Sequence, residues 1–126
     1  MRGRNVGMWW GTAIEAPDPR VLAEFYSSML DWPVTHADDQ VAIIAPPQGS
    51  IYMVFQLAED FVPPVWPPAT GQQRAIMHLD FEVDDLEHAV ADAVARGARV
   101  ASFQPQDKVR VLFDPAGHPF CLCLDD

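Results

Sequence analysis

Every second residue from His78 to Glu82 is ionisable, and the residues between them are apolar. Successive side chains of a β-strand point to opposite faces, so a strand here would place His78, Asp80 and Glu82 together. Such groups are costly to bury unless they meet water or a ligand. An imidazole beside a carboxylate suits general acid–base catalysis, which makes His78 and Asp80 the candidate catalytic residues. The alternative is a histidine that lines a pocket and hydrogen-bonds Asp80 or water.

The only two cysteines, Cys121 and Cys123, lie close to the C-terminal end of the sequence. On a strand they would share one face, where they are poorly placed to form a disulfide with each other. Free thiols are typical of a reducing cytoplasm, and we expect a cytoplasmic protein. No Lys or Arg lies nearby in the sequence to stabilise a thiolate. Cys121 is therefore either a weak candidate for metal binding or a small buried apolar residue.

The first half of the chain predicts one helix and four strands. Asp18 is expected to cap the helix, with Pro19 at its first position and an apolar stripe at helical spacing after it. The predicted strands cover residues 8–15, 33–37, 40–45 and 50–57.

The second half of the chain repeats this order at an offset of about 67 residues. Asp84 or Asp85 is expected to cap its helix, Glu87 would complete a capping box with Asp84, and Gly97 would end the helix. The predicted strands cover residues 75–83, 98–103, 107–113 and 119–124. Two βαβββ modules therefore follow each other along the chain.

A proline-rich connector, about residues 58–74, separates the two modules. Its Pro-Pro-Val-Trp-Pro-Pro run cannot form a helix or a central strand, and predicts an extended, stiff spacer. A proline-rich ligand for another domain is the alternative. Trp66 in the middle of the run argues against that alternative, because a tryptophan side chain is usually buried.

The net charge of −10 excludes the clustered positive charge that nucleic-acid binding needs, and would attract cationic ligands. An acidic surface that only keeps the protein in solution is the simpler interpretation of the same charge. No run of about 18 apolar residues is present, so we expect no membrane span. The basic N-terminus lacks the apolar segment of a signal peptide.

Three segments of the chain, residues 16–32, 78–86 and 113–122, resemble the vicinal oxygen chelate superfamily. This superfamily contains glyoxalase I, extradiol dioxygenases, fosfomycin-modifying enzymes and bleomycin-resistance proteins, and the short glyoxalase-like proteins are the most similar group. The resemblance implies an α+β fold in which two βαβββ modules form a paired, half-open barrel, and a homodimer. It implies one glyoxalase-like domain over residues 1–126, with module 1 at about 6–57, the linker at about 58–74 and module 2 at about 75–126.

The resemblance also implies where a divalent metal would be held, by residues of the first and last strands of each module. His78 and Cys121 are similar to two of these positions. Gly11 is the counterpart of His78 and has no side chain to offer. Such a set is poor even for zinc, so we expect no cofactor, with a divalent metal at His78 and Cys121 as the alternative. The counterpart of Cys121 falls near one of three residues, Val54, Phe55 or Gln56.

We therefore expect a glyoxalase- or bleomycin-resistance-like protein that binds a small molecule in the cup of a module without metal, and the net charge favours a cationic one. Trp9 beside Gly11 would leave a flat apolar slot for it. The alternative is a metal-dependent or His/Asp-based lyase, isomerase or dioxygenase, so enzymatic activity stays open. No P-loop, dinucleotide-binding fingerprint or nucleophile elbow is present. The residues expected to bind the ligand are Trp9, Gly11, Gln56, Trp66, His78, Asp80 and Cys121.

Overall fold

The computed structural model of the protein describes residues 1–124 and divides the chain into two compact units, Met1–Phe61 and Val62–Asp126. The first unit contains β1 (Trp10–Ala16), α1 (Pro19–Leu30), β2 (Val34–Ala37), β3 (Val41–Ile44) and β4 (Ile51–Leu57). The second contains β5 (Leu79–Val83), α2 (Leu86–Arg96), β6 (Arg99–Val100), β7 (Val109–Phe113) and β8 (Pro119–Leu124).

Each unit forms one open four-stranded sheet, in the order β1-β4-β3-β2 and β5-β8-β7-β6. In both sheets the first strand pairs in parallel with the last, and the other neighbours are antiparallel. Because a parallel pair needs a crossover connection, the helix that follows the first strand fits this topology. The α+β fold with two βαβββ modules is confirmed.

Helix α1 begins as its sequence predicts, with Asp18 as the cap and Pro19 as the first helical residue. The Asp18 carboxylate accepts hydrogen bonds from the backbone N–H groups of Arg20 and Val21, at 3.1 and 3.3 Å. The apolar stripe is buried, and the Tyr26 ring stacks on Phe55 with their centroids 5.6 Å apart. Asp31 ends the helix at φ 57°, a left-handed conformation that aspartate tolerates better than most residues.

Helix α2 is capped by Asp85, and the predicted capping box between Asp84 and Glu87 is wrong. With Asp85 as the cap, the third helical residue is His88, whose backbone N–H donates to the Asp85 carboxylate at 3.0 Å. The His88 ring nitrogen Nδ1 lies 2.7 Å from the same carboxylate. Gly97 ends the helix at φ 122°, as predicted.

Several predicted strands are shorter than expected: β6 covers only Arg99–Val100 of the predicted 98–103, and the starts of β1 and β5 are also later. β1 begins at Trp10 instead of Met8, because the preceding segment turns on itself and the Arg4 guanidinium donates to the carbonyls of Met8 and Trp9. β5 begins at Leu79 instead of residue 75, which leaves His78 just outside the strand. The reason is that β5 pairs only with β8, which starts at Pro119, and proline has no N–H to extend the ladder.

The proline-rich segment packs on the second unit, whereas the sequence predicted an extended spacer. Its backbone folds back, with the Val65 N–H donating to the Gln73 carbonyl at 2.7 Å and the Gln73 side chain donating to the Val62 carbonyl at 2.6 Å. The Pro63 ring lies so close to Gly117 that a Cβ there would be 2.8 Å from it. Most of the segment is therefore part of the second unit.

The turn between β7 and β8 is held by the buried carboxylate of Asp114. This side chain accepts hydrogen bonds from the N–H groups of Ala116, Gly117 and His118, all at 2.9–3.0 Å. The His118 ring nitrogen Nδ1 lies 2.8 Å from its second oxygen. His118 is thus a turn residue, as the sequence predicted.

We expect Asp114→Ala to lower the free energy of unfolding by roughly 3 kcal/mol, because it leaves several backbone donors of a buried turn without an acceptor. Urea denaturation of the variant and of the parent protein measures the change. Asp107→Ala is the matched control, since Asp107 is an exposed turn residue of the same unit. Equal losses in the two variants would contradict this role of Asp114.

Candidate functional site

The residues of the candidate site lie on one face of the second sheet, which we call the cup face. Cys121 on β8 pairs with Asp80 on β5 and with Val111 on β7, so the three side chains lie side by side on this face. Glu82 and Cys123 form the next pair along the same two strands. The predicted grouping of Asp80 with Glu82 is therefore present.

An apolar cluster covers the centre of the cup face. Cys121 is buried in it together with three other residues, Ala101, Val111 and Phe113. Trp66 of the proline-rich segment packs against this cluster, and its ring lies 6.2 Å from Phe103. Trp66 is therefore a wall of the candidate site, and Cys121 behaves in part as the small buried apolar residue that the sequence offered as an alternative.

A cavity of about 150 Å³ opens beside this cluster. Its walls are mostly apolar, and His78, Gln106 and Cys121 are the residues of the lining that carry polar side chains. Two further residues predicted to bind the ligand are close by. Trp66 lies in the cavity wall, and Asp80 lies next to His78. The lining residues are Trp66, Ala75, His78, Pro105, Gln106, Val109, Val111, Pro119 and Cys121.

The loop that supplies one side of the cavity is fixed by two long polar side chains. The Gln104 amide donates to the carbonyls of Ala101 and Val111 and accepts from the Val111 N–H, at 2.8–2.9 Å. The Arg110 guanidinium donates to the carbonyls of Gln106 and Asp107, at 3.2 and 3.0 Å. Sequence reasoning missed both residues, because neither stands in a motif and only their loop contacts reveal the role.

The polar end of the site is a chain of three side chains. His78 Nε2 lies 3.1 Å from Asp80 Oδ1, and the Cys121 thiol hydrogen-bonds the same carboxylate. One donor atom from each of the three residues lies within 4.8 Å of the other two. If Nε2–H donates to Asp80, then Nδ1 of His78 keeps its lone pair and can accept a proton. This contact is the hydrogen bond to Asp80 that the sequence predicted as the alternative to a catalytic role of His78.

Both thiols of the cup face have raised pKa values. Burial, together with the charge of Asp80, the neighbouring Cys123 and a hydrogen bond to Asp80, raises the pKa of Cys121 to about 11. Burial and the charges of Asp80 and Glu82 also raise the pKa of Cys123. Both thiols are therefore neutral at physiological pH and are weak nucleophiles. Both cysteines are free.

The equivalent positions of the first unit carry no metal-binding atoms. Ala13 pairs with Val54 in the first sheet, as Asp80 pairs with Cys121 in the second. Of the three residues that the sequence left open as the counterpart of Cys121, the register therefore selects Val54. Gln56 lies two residues further along β4, opposite Glu15. Its role in ligand binding stays a prediction.

Gly11 is covered by Tyr52, so the flat apolar slot expected beside Trp9 is not present. A Cβ at Gly11 would overlap the Tyr52 backbone oxygen and would lie 2.7 Å from the Tyr52 ring. Trp9 itself precedes β1 and is 52% exposed. Tyr52 was missed at the sequence level, because only the pairing register places its ring over Gly11.

The four-position metal site that the resemblance implies does not fit this chain. Gly11 and Val54 offer no donor atom, and Gly11 has no room for a side chain. The donors of the second unit form a different set, because Asp80 is not one of the four positions. The three histidines outside the site each pair with a nearby aspartate: His36 with Asp38, His88 with Asp85 and His118 with Asp114.

The fold agrees with solved structures whose sequences differ strongly from this one. The fosfomycin resistance protein FosX of Mesorhizobium loti matches with a TM-score of 0.67 and 12% identity, over 97% of this chain and 95% of that one. A glyoxalase/bleomycin resistance protein/dioxygenase family enzyme of Burkholderia phytofirmans matches with a TM-score of 0.67 and 16% identity, over 90% and 95%. A glyoxalase-related enzyme of Fulvimarina pelagi matches with 0.66 and 14%, over 95% and 89%.

The family model of the glyoxalase-like domain matches residues 11–123, which include almost all of both modules. The chain therefore belongs to the glyoxalase-like domain family, and with it to the vicinal oxygen chelate superfamily. No protein of curated function matches the chain significantly by sequence. Within residues 1–124, neither helix is long and apolar enough to span a membrane.

We expect Gly11→Ala to lower the free energy of unfolding by about 1–3 kcal/mol, because its methyl group would overlap the Tyr52 backbone. Thermal or urea denaturation measures the change. Gly7→Ala is the matched control, since the nearest atom to a Cβ there is 3.7 Å away. A Gly11→Ala variant as stable as the control would contradict the close approach of Tyr52.

We expect alkylation of Cys121 by iodoacetamide to be slow at neutral pH and to accelerate up to about pH 11, since only the thiolate reacts. The measurement uses Cys123→Ser, which leaves Cys121 as the only thiol, and Asp80→Asn in the same background should move the inflection to lower pH.

A raised pKa of Cys121 means that the folded state holds the thiol proton more tightly than the unfolded state. The contribution of this thiol to stability is therefore present below its ordinary pKa and lost as the pH rises towards about 11. An inflection at or below 9.0, the ordinary pKa of a cysteine thiol, would contradict the prediction.

Proposed function

We propose that the protein binds a small molecule in the cup of its second unit. The observation that carries the proposal is the apolar cavity between Trp66 and β7, which closes beside the His78–Asp80 pair. Pockets of this kind, with apolar walls and few converging polar groups, are typical of ligand sites. No metal is needed for this function.

The size of the cavity limits what it can hold. At about 150 Å³ it is smaller than pockets that enclose a drug-sized ligand, which are about 300–1,000 Å³. It is comparable to an engineered cavity of about 150 Å³ that takes up benzene. The ligand is therefore a ring-sized molecule, or a larger one that places only a ring-sized group here.

The charge of the site favours a ligand with a positive group. The carboxylates of Asp80 and Glu82 lie on the cup face and, after burial, are the causes that raise the pKa of the Cys123 thiol, as a negative potential does. The net charge of −10 acts in the same direction at longer range. An amine could donate hydrogen bonds to Asp80 while its apolar part contacts Trp66.

Catalysis by the same site is the second candidate function. His78 has one ring nitrogen free to accept a proton while the other contacts Asp80, the arrangement that a general base needs. A lyase, isomerase or dioxygenase of the vicinal oxygen chelate type would use His78 in this way or through a metal. For a turned-over ligand, His78→Gln should lower kcat by a much larger factor than it weakens binding, because His78 would act as the base as well as line the cavity. The cytoplasmic location and the homodimer stay predictions.

We expect benzylamine to bind more tightly than benzyl alcohol, and benzoate to bind weakest, because the ring fits the cavity and the negative potential selects the charge. Chemical-shift changes of backbone amides, recorded in the presence of a chelator, measure binding to the metal-free protein. Trp66→Leu should weaken benzylamine binding about 10-fold or more, since it removes an aromatic wall.

Trp10→Leu is the matched control, because Trp10 is exposed at the start of β1 in the first unit. Asp80→Asn should reduce the preference for benzylamine over benzyl alcohol and leave the ring contact intact. A preference for benzoate, or shifts confined to residues outside the cavity wall, would overturn the proposal.

A further inference from the structure

We propose that residues 101–104 form a latch with two arrangements, which open and close the cavity of the second unit. In the observed arrangement, the side-chain amide of Gln104 is inserted between the backbones of Ala101 and Val111. In the second arrangement, β6 continues along β7 as far as Phe103. The effect on ligand binding rests on the proposed function, whereas the two arrangements of the strand do not depend on it.

The ladder between β6 and β7 is interrupted just after β6 ends. Val100 lies opposite Leu112, so Ala101 is the next residue in register, opposite Val111. The Ala101 N–H donates to the Val111 carbonyl at 3.0 Å, which makes the two a hydrogen-bonded pair of an antiparallel ladder. Such a pair ordinarily exchanges two bonds, and the second would run from the Val111 N–H to the Ala101 carbonyl.

The Gln104 amide takes the place of this second bond. Its Oε1 accepts from the Val111 N–H at 2.9 Å, and its Nε2 donates to the Ala101 carbonyl at 2.9 Å. One side chain therefore bridges two backbone groups that would otherwise bond directly. Nε2 also donates to the Val111 carbonyl at 2.8 Å. The inserted amide keeps the two backbones apart, and β6 ends there.

A second side chain occupies the next position of the ladder. In the continued register, Phe103 would lie opposite Val109 and form the next hydrogen-bonded pair. The Val109 carbonyl instead accepts from Nη1 of Arg110 at 2.8 Å. Both positions thus exchange a side-chain hydrogen bond for a backbone one. Because such exchanges contribute little net free energy, we expect the two arrangements to be close in stability.

The local sequence suits the second arrangement. Val100 and Phe103 are of types that favour strands, and the sequence predicted a strand over residues 98–103. Pro105 would end the longer strand, because proline has no N–H to donate to a ladder. Residues 104–108 would then form a five-residue hairpin loop, which is a common length for this connection.

Continuation of β6 would close the cavity. Residues directly opposite each other in an antiparallel pair share a face, so Phe103 would lie beside Val109 on the cup face. Val109 is part of the cavity wall. In the observed arrangement, Phe103 is 48% exposed and its ring lies 6.2 Å from that of Trp66. Moving the ring onto Val109 takes space that a ligand needs, so a bound ligand favours the arrangement with Gln104 inserted.

The test releases the latch in the full chain. Gln104→Met has a side chain of similar length that makes no such hydrogen bonds, and should let β6 continue. The measurement is a nuclear Overhauser effect between the Hα atoms of Ser102 and Arg110, which lie opposite each other only in the continued ladder. We expect the effect in Gln104→Met and not in the matched control Gln72→Met, since Gln72 is an exposed residue of the same unit.

A second variant guards against loss of the fold, which circular dichroism detects in each case. Gln104→Glu keeps an acceptor for the Val111 N–H and loses both hydrogen bonds that the amide donates, so it should show the same effect at neutral pH. Folded Gln104 variants that show no contact between Ser102 and Arg110 would refute the latch.

Binding of benzylamine tests the closure. If the closed arrangement reaches about 90% in Gln104→Met, the apparent affinity falls about 10-fold. Adding Phe103→Ala should restore the affinity to within about 3-fold of the parent protein, because the ring that closes the cavity is gone. A loss that persists in the double variant, or an unchanged affinity in a variant with the continued ladder, would rule out closure by Phe103. The Overhauser effect needs no ligand, so it decides the latch even if the parent protein fails to bind benzylamine.

Discussion

The candidate site depends on the register in which β8 pairs with β5, and one buried carboxylate holds the start of β8. Asp114 accepts three backbone N–H groups and the His118 ring, which fixes the turn from which β8 departs. From there β8 places Cys121 opposite Asp80. A shift of one residue in this pairing would turn the Cys121 thiol to the other face of the sheet, so the turn and the chemistry of the site are coupled.

The two units share one topology but differ in the side chains at its equivalent positions. At equivalent register positions, the second unit has Asp80 beside Cys121, and the first has Ala13 beside Val54. The glycine that replaces His78 in the first unit is not an empty position, since Tyr52 lies against it. In the first unit, packing contacts of Tyr52 therefore occupy the position where a metal-binding side-chain atom would lie. The donor atoms described here belong to the second unit.

Much of the fold followed from local signals in the sequence. Asp18, Asp85 and Gly97 delimit the helices through capping and backbone preferences that act within a few residues, so they could be predicted. The strand starts could not, because they depend on where the neighbouring strand can donate hydrogen bonds. The set of residues in the site was only partly predictable, because it also depends on how neighbouring strands pair. Alternation placed Asp80 on the face of His78, and the family resemblance placed Cys121 in the same site, but only the parallel register showed that Cys121 pairs with Asp80.

The three donors differ in how firmly the fold holds them, and this difference bears on any ligand or ion bound there. Cys121 is buried among apolar side chains, whereas Asp80 has its backbone in β5 and a side chain that is 63% exposed. His78 lies one residue before the strand, because Pro119 ends the ladder. Ordering a half-exposed side chain costs conformational entropy, so binding at this site gains less than its contacts alone would provide.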